Sequence, residues 1–254
     1  MEERCTARRA YDCKDYTVPA FHKGYLVYSF ELNPSNVQLC LNTFSSAGLA
    51  AGSDYTVIDV VPGQVPEIPA DKRTGKHILF FKAGVSNRVG GANIQQGDVM
   101  TQASAAPAVG AGSQGSAPRP PPPVTPGSSG NVPLVRIDDV LPPDSRVYVF
   151  KSDTQGHEYG VYTGAEQLFK RGKVHMLALE FWPQGSRENG FEAKALLDFL
   201  YDNAFQCFDA ATHGYDVLGR PSGHHAFTDF LDALPRSEDP IGAWEDLVCS
   251  RFDS

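Results

Sequence analysis

The sequence predicts an α/β fold, a mostly parallel sheet flanked by helices, and three observations carry that expectation. Short apolar runs rich in β-branched and aromatic residues alternate with stretches of helical period, the pattern of right-handed βαβ crossovers. The chain has 254 residues, enough to bury a sizeable core as one α/β domain. Polar and ionisable groups crowd residues 151–158, between an apolar run and a helical pattern, and ligands of open α/β sheets bind beyond the carboxyl ends of strands.

Residues 1–24 read as an irregular amino-terminal segment, and residues 25–31 as a strand ending in the acid Glu31. Asn33 and Pro34 suit the N-cap and first position of a helix; Val37, Leu41 and Phe44 give it a buried stripe, and Gly48 a stop. Residues 55–61 form another strand-like run, either a further strand of the sheet or an insertion, and residues 77–83 are a firm strand. The segment 101–130 is different, because Ala, Gly, Pro and Ser fill 23 of its 30 positions and Arg119 is its only charge. Such a composition cannot bury enough apolar surface to offset its ordering entropy, so a long disordered insertion is expected within about 93–132. Loop closure grows costly only slowly with length, so the domain can carry it; Pro120 to Pro123 also suit a polyproline ligand.

Beyond the insertion the pattern gives a strand around 147–150, a helix over about 157–170 and a strand at 174–181. A helix over about 191–203 follows, with Leu196, Phe199 and Leu200 buried, then a short strand near Cys207 and Phe208. The domain expected from this alternation spans 25–210. From 211 to 254 the signals weaken, and Phe227, Phe230, Leu231, Leu234, Trp244, Leu247 and Val248 are expected to cap a sheet edge or face.

The formal charge of −8 and the pI near 5.3 count against a general nucleic-acid or anionic-membrane binder. No apolar run approaches the roughly 20 residues a membrane span needs, and Met1 to Cys5 lack the apolar stretch of a signal peptide. Cys5, Cys13, Cys40, Cys207 and Cys249 are widely spaced with no C-x-x-C, so reduced thiols and a cytoplasmic location are expected, a missing targeting segment apart. The histidines show no ligand spacing, and no metal is expected.

The polar turn reads Lys151-Ser152-Asp153-Thr154-Gln155-Gly156-His157-Glu158. On spacing alone it is either a ligand site or an ordinary strand-to-helix turn whose carboxylates cap a helix. With its flanks it resembles the FkbM-type methyltransferases, S-adenosylmethionine-dependent enzymes with a Rossmann-like fold. Their pattern is an apolar strand, K-x-D-x-[EQ]-G-x-E, then a helix with a Gly-Ala pair and a Leu. Lys151, Asp153, Gln155, Gly156 and Glu158 fit it, and Gly164-Ala165 and Leu168 follow. Val135 to Leu141 is similar to the family's "LDD" segment, and Leu177 to Pro183 to its next strand.

The resemblance implies S-adenosylmethionine as cofactor and a hydroxyl acceptor on a small molecule or glycan. It implies that Glu31 accepts the cofactor's ribose hydroxyls; an acid beside a helix N-terminus is the plainer reading. Ala83 and Gly84 match a small-residue segment whose backbone approaches the adenine, unless Gly84 simply starts a turn. Asp153 is placed to bind the cofactor's ammonium or to orient the acceptor hydroxyl, and Lys151, on the same face two residues earlier, holds it ionised. His157 is the candidate general base, with an intrinsic pKa near 6.5, while Glu158 suits the helix amides. Glu180 and Trp182 are candidates for the acceptor pocket. The transfer itself, an in-line displacement at the sulfonium, needs positioning more than covalent catalysis.

One departure stands out. The family's domain begins with a strand and a glycine-rich D-x-G-x-x-x-G loop, whereas Gly24 is the sole glycine before Tyr25. The chain therefore reads as lacking the first strand and that loop, either through truncation or in a domain that no longer binds cofactor and serves as an interaction module.

Overall fold

The alternation resolves into an eight-stranded sheet with a smaller sheet beside it, in a computed structural model that describes residues 3–7, 13–96, 101–104, 132–209 and 245–251. The main sheet is built from β1 (Glu3–Ala7), β2 (Leu26–Phe30), β3 (Tyr55–Asp59), β4 (His77–Lys82), and, after the smaller sheet, β9 (Val147–Ser152), β10 (Val174–Phe181), β11 (Phe205–Asp209) and β12 (Glu245–Arg251). Its order is β11-β12-β10-β9-β1-β2-β4-β3; all neighbours pair parallel except β12, antiparallel to both β10 and β11. The smaller sheet joins β5 (Gly84–Val85), β6 (Gly90–Gln96), β7 (Thr101–Ser104) and β8 (Val132–Val135) in the order β5-β8-β6-β7.

The helices are α1 (Val18–His22), α2 (Pro34–Ser46), α3 (Ile137–Val140), α4 (Glu158–Thr163), α5 (Glu166–Lys170), α6 (Pro183–Glu188) and α7 (Ala193–Asp202). α2 forms as its sequence predicts: the Asn33 side chain accepts the Ser35 amide and Pro34 occupies the first turn. Both faces of the sheet are covered. Val27, Ile78 and Phe80 pack with Phe21, Cys40 and Phe44, while Leu26, Tyr28, Phe30, Leu79 and Phe81 join the core under Phe150, Tyr162 and Phe169. Burial on both faces is why β2 and β4 read as continuous apolar runs.

Several expectations are corrected. Residues 3–7 are not irregular: β1 pairs with β2 on one side and β9 on the other, so the first strand is present. Its Glu-Arg-Cys-Thr-Ala run carries no apolar signal, and only its two neighbours make it a strand. Residues 55–59 belong to the sheet, at the far side of β4. The helix expected over 157–170 breaks at Gly164-Ala165 into α4 and α5. Residues 101–104, placed in the disordered insertion, pair with β6; residues 105–131 lie outside the described residues. Glu245–Arg251 enters the sheet between β10 and β11 rather than capping it, while Phe227, Phe230, Leu231, Leu234 and Trp244 lie outside the described residues.

The thiol expectation is also overturned. Cys13 is bonded to Cys40, tying the π-helical turn Cys13–Thr17 to α2, and Cys207 to Cys249, which face each other across β11 and β12. Pairs separated by 27 and 42 residues are set by the tertiary fold, to which sequence spacing is blind. No helix among the described residues is long and apolar enough to cross a membrane.

Candidate functional site

Register brings the candidate residues to one level. Ala7, the last residue of β1, lies opposite Phe30 of β2 and Ser152 of β9. Phe30 lies opposite Phe81 of β4, and Ser152 opposite Leu179 of β10. The next residues along these strands are Glu31, Lys82 followed by Ala83, Asp153 and Glu180, so the groups singled out from sequence sit together at the carboxyl ends of parallel strands. The strand order reverses between β1 and β9, which makes the crevice there the switch point of the sheet. Glu31 and Asp153 flank it across two strand spacings, about 10 Å.

On the β9 side the side chains are joined. Lys151 Nζ lies 3.6 Å from Asp153 Oδ2, and both side chains are buried. The Gln155 amide donates from Nε2 to Asp153 Oδ1 at 2.7 Å and to Glu180 Oε2 at 2.7 Å. One amide thus holds carboxylates from two strands close together, with the Lys151 ammonium compensating one of them. Lys151 Nζ also lies 5.6 Å from the centroid of the Tyr16 ring, which closes over it from the amino-terminal turn.

The backbone that allows this is tight. Gln155 has φ 56° and Gly156 φ 83°, and a Cβ on Gly156 would overlap the Gly185 carbonyl carbon and the Ser186 amide. Only glycine fits, because the turn lies directly against α6. Asn189 Nδ2 fastens it by donating to the carbonyls of Gln155 and Gly185, at 3.0 and 2.9 Å. Trp182 is buried against Gly185, forming the floor of this turn.

Glu158 is fully buried and reaches backward instead of capping its helix by its side chain alone: Oε1 accepts the Thr154 amide at 2.6 Å and the Thr154 hydroxyl at 3.0 Å. Burial pushes its carboxyl up to about 7, helped by the charge of Glu180 and opposed by the Thr154 hydrogen bonds and its own amide. His157 faces elsewhere. Its Nε2 is 3.0 Å from Ser86 Oγ and its ring packs edge-on against Phe191. Burial, with Arg88 nearby, lowers its pKa to about 4, so the near-neutral titration assumed for a base does not hold.

On the other side, buried Glu31 continues the sheet through its amide to the Phe81 carbonyl, and its Oε1 accepts the Asn33 amide at 2.8 Å. Ala83 is buried, and Gly84 opens β5 against the side chains of Leu32 and Leu134. Sequence reasoning missed Tyr16, Ser86, Asn189 and the role of Asp138. The Asp138 carboxylate, 2.9 Å from the Gln167 amide and 3.1 Å from that of Leu168, caps α5 from a distant segment. The "LDD" resemblance pointed at Asp138, but the cap is a long-range contact with no local signal.

Residues 5–207 match the family model described as the Methyltransferase FkbM domain. No curated protein and no solved structure gives a significant match to the chain.

Proposed function

The chain belongs to the FkbM methyltransferase family, and on that premise we propose that it is an S-adenosylmethionine-dependent O-methyltransferase. The observation that supports this most is the shared level of Glu31, Ala83, Asp153 and Glu180 around the switch point between β1 and β9. The donor set suits the cofactor: carboxylates at Glu31 and Asp153 complement a ribose diol and a cationic ligand, and Ala83 and Gly84 offer backbone with little side chain to an adenine.

The cofactor, when bound, supplies an electrophilic methyl group. Glu31 accepts from the ribose hydroxyls. Asp153, paired with Lys151, orients the acceptor hydroxyl and receives its proton, and Gln155 fixes Asp153 and Glu180 so that neither carboxylate swings away. Glu180 and Trp182 line the acceptor side. The acceptor is a hydroxyl of a small molecule or glycan.

A second reading, an interaction domain that binds no cofactor, is favoured by one observation: residues 8–15, which follow β1, contain no glycine. Calorimetry with S-adenosylhomocysteine separates the two. Binding that is lost in Glu31→Ala supports the enzyme; a folded wild-type chain that binds nothing points to the interaction domain.

A further inference from the structure

We propose that His157 is a positioning residue, a neutral latch that ties the segment after β4 to the turn after β9 and so sets the shape of the adenine side of the cofactor site. This deepens the reading above and rests on it. The latch joins residues 71 apart in sequence: Ser86 Oγ and His157 Nε2 are 3.0 Å apart, and Ser86 is completely buried. Ser86 follows Ala83, Gly84 and Val85, and its amide donates to the Val135 carbonyl at 2.9 Å, which anchors the segment to β8 as well.

The molecule is shaped around this contact. A Cβ on Gly160 would press into the His157 ring, so the glycine leaves the slot in α4 that the imidazole fills. Phe191 packs edge-on against the same ring, with ring centroids 5.2 Å apart. Ser86 is gripped a second time, through its backbone, because a Cβ on Gly164 would overlap the Ser86 carbonyl oxygen. The hydroxyl and amide of one residue are therefore hydrogen-bonded, and its carbonyl is packed closely against Gly164. A base that must collect a proton from substrate needs an accessible nitrogen. Among the described residues His157 Nδ1 is buried without a hydrogen-bond partner, and Nε2 is occupied by Ser86. A second ring proton would find no acceptor there, and Arg88 opposes the charge. These features suit a neutral hydrogen-bonding ring and not a proton acceptor.

The role separates from that of a base by comparing His157→Gln, whose amide can reach Ser86 as Nε2 does, with His157→Leu, which keeps bulk and loses the bond. Expected for His157→Gln are a dissociation constant for S-adenosylhomocysteine within about threefold of wild type and an unchanged pH profile of turnover. Expected for His157→Leu and for Ser86→Ala is a loss of about tenfold in that affinity, with the double variant no worse than either single one. A His157→Gln variant that binds normally but loses turnover a hundredfold, along with its acid limb, overturns the latch in favour of the base. So does unchanged affinity in both His157→Leu and Ser86→Ala. If wild type binds no S-adenosylhomocysteine, it is the proposed function that fails, and amide hydrogen exchange at residues 83–88 then decides the latch. Faster exchange in His157→Leu supports it and equal exchange refutes it.

Discussion

The turns after β2 and β9 end at the same level of one sheet, yet different forces hold them. After β9 the chain turns through two left-handed residues and is pinned from outside by Asn189, by the backbone of α6 and by the Asp153-Gln155-Glu180 bridge. After β2 the chain runs straight into α2, with Glu31 Oε1 and the Asn33 side chain capping local amides. The first turn is fastened by side chains far apart in sequence; in the second the carboxylate accepts a local amide, while the long-range tie runs through the backbone, from the Glu31 amide to the Phe81 carbonyl. A carboxylate bridged to side chains of another strand depends on the tertiary fold for its aim, whereas one that accepts an amide two residues on takes part of its aim from its own turn.

The comparison can be broken most severely at Gly156. Gly156→Ala must displace the backbone of α6 as well as strain its own, and a loss of about 3–4 kcal/mol is expected in urea unfolding. A loss below about 1 kcal/mol would show that the turn is not pinned. The other side has its own staple, Cys13–Cys40, a 27-residue separation for which chain entropy predicts about 3.5 kcal/mol. Cys13→Ser with Cys40→Ser should lower the unfolding midpoint accordingly, and an unchanged midpoint under reducing and oxidising conditions would refute the staple.

A smaller effect distinguishes two neighbours by pH. Glu158, raised to about 7, binds its proton more tightly folded than unfolded, so it favours the fold at low pH, and that contribution fades as pH rises from about 4.5 through 7. His157, lowered to about 4, behaves oppositely: its contribution is present above about 6.5 and fades as pH falls through 4. The two slopes offset each other in wild type. Glu158→Gln should leave stability rising with pH across this window and His157→Gln should leave it falling, by up to about 2–3 kcal/mol in chemical unfolding followed from pH 4 to 7.5. Parallel curves for both variants would contradict the assignments. The smallest structural effect belongs to Glu31→Gln, where loss of one charged cap should cost about 1 kcal/mol or less of stability while abolishing S-adenosylhomocysteine binding. Equal damage to both would mean that Glu31 is a structural acid.

What the sequence made legible follows the same division. β2, the Asn33-Pro34 start of α2, β4, β9 and β10 announce themselves through local period and caps. The level of Glu31 with Asp153 was implied by the fold, because both follow strand ends. β1 was hidden, since Glu3 to Ala7 carry no apolar run and become a strand only by lying between β2 and β9. The break between α4 and α5 was hidden too, because Asp138 supplies its cap from about 30 residues away. Both disulfides and the Ser86–His157 contact are of this kind, tertiary pairings with no periodic trace.

The place of β12 constrains how this protein is made. Among the described residues β11 reaches the sheet only through β12, which lies between it and β10, so within them residues 205–209 gain a sheet neighbour when residues 245–251 arrive. During synthesis the ribosome exposes β10, eight residues long and apolar at Leu177, Leu179 and Phe181, well before the strand that will shield its open edge. Of the described residues, those that pair with this edge and the disulfide partner of Cys207 both come from the last strand. Chaperone dependence and the timing of oxidation should both track the emergence of Glu245 to Arg251 from the exit tunnel.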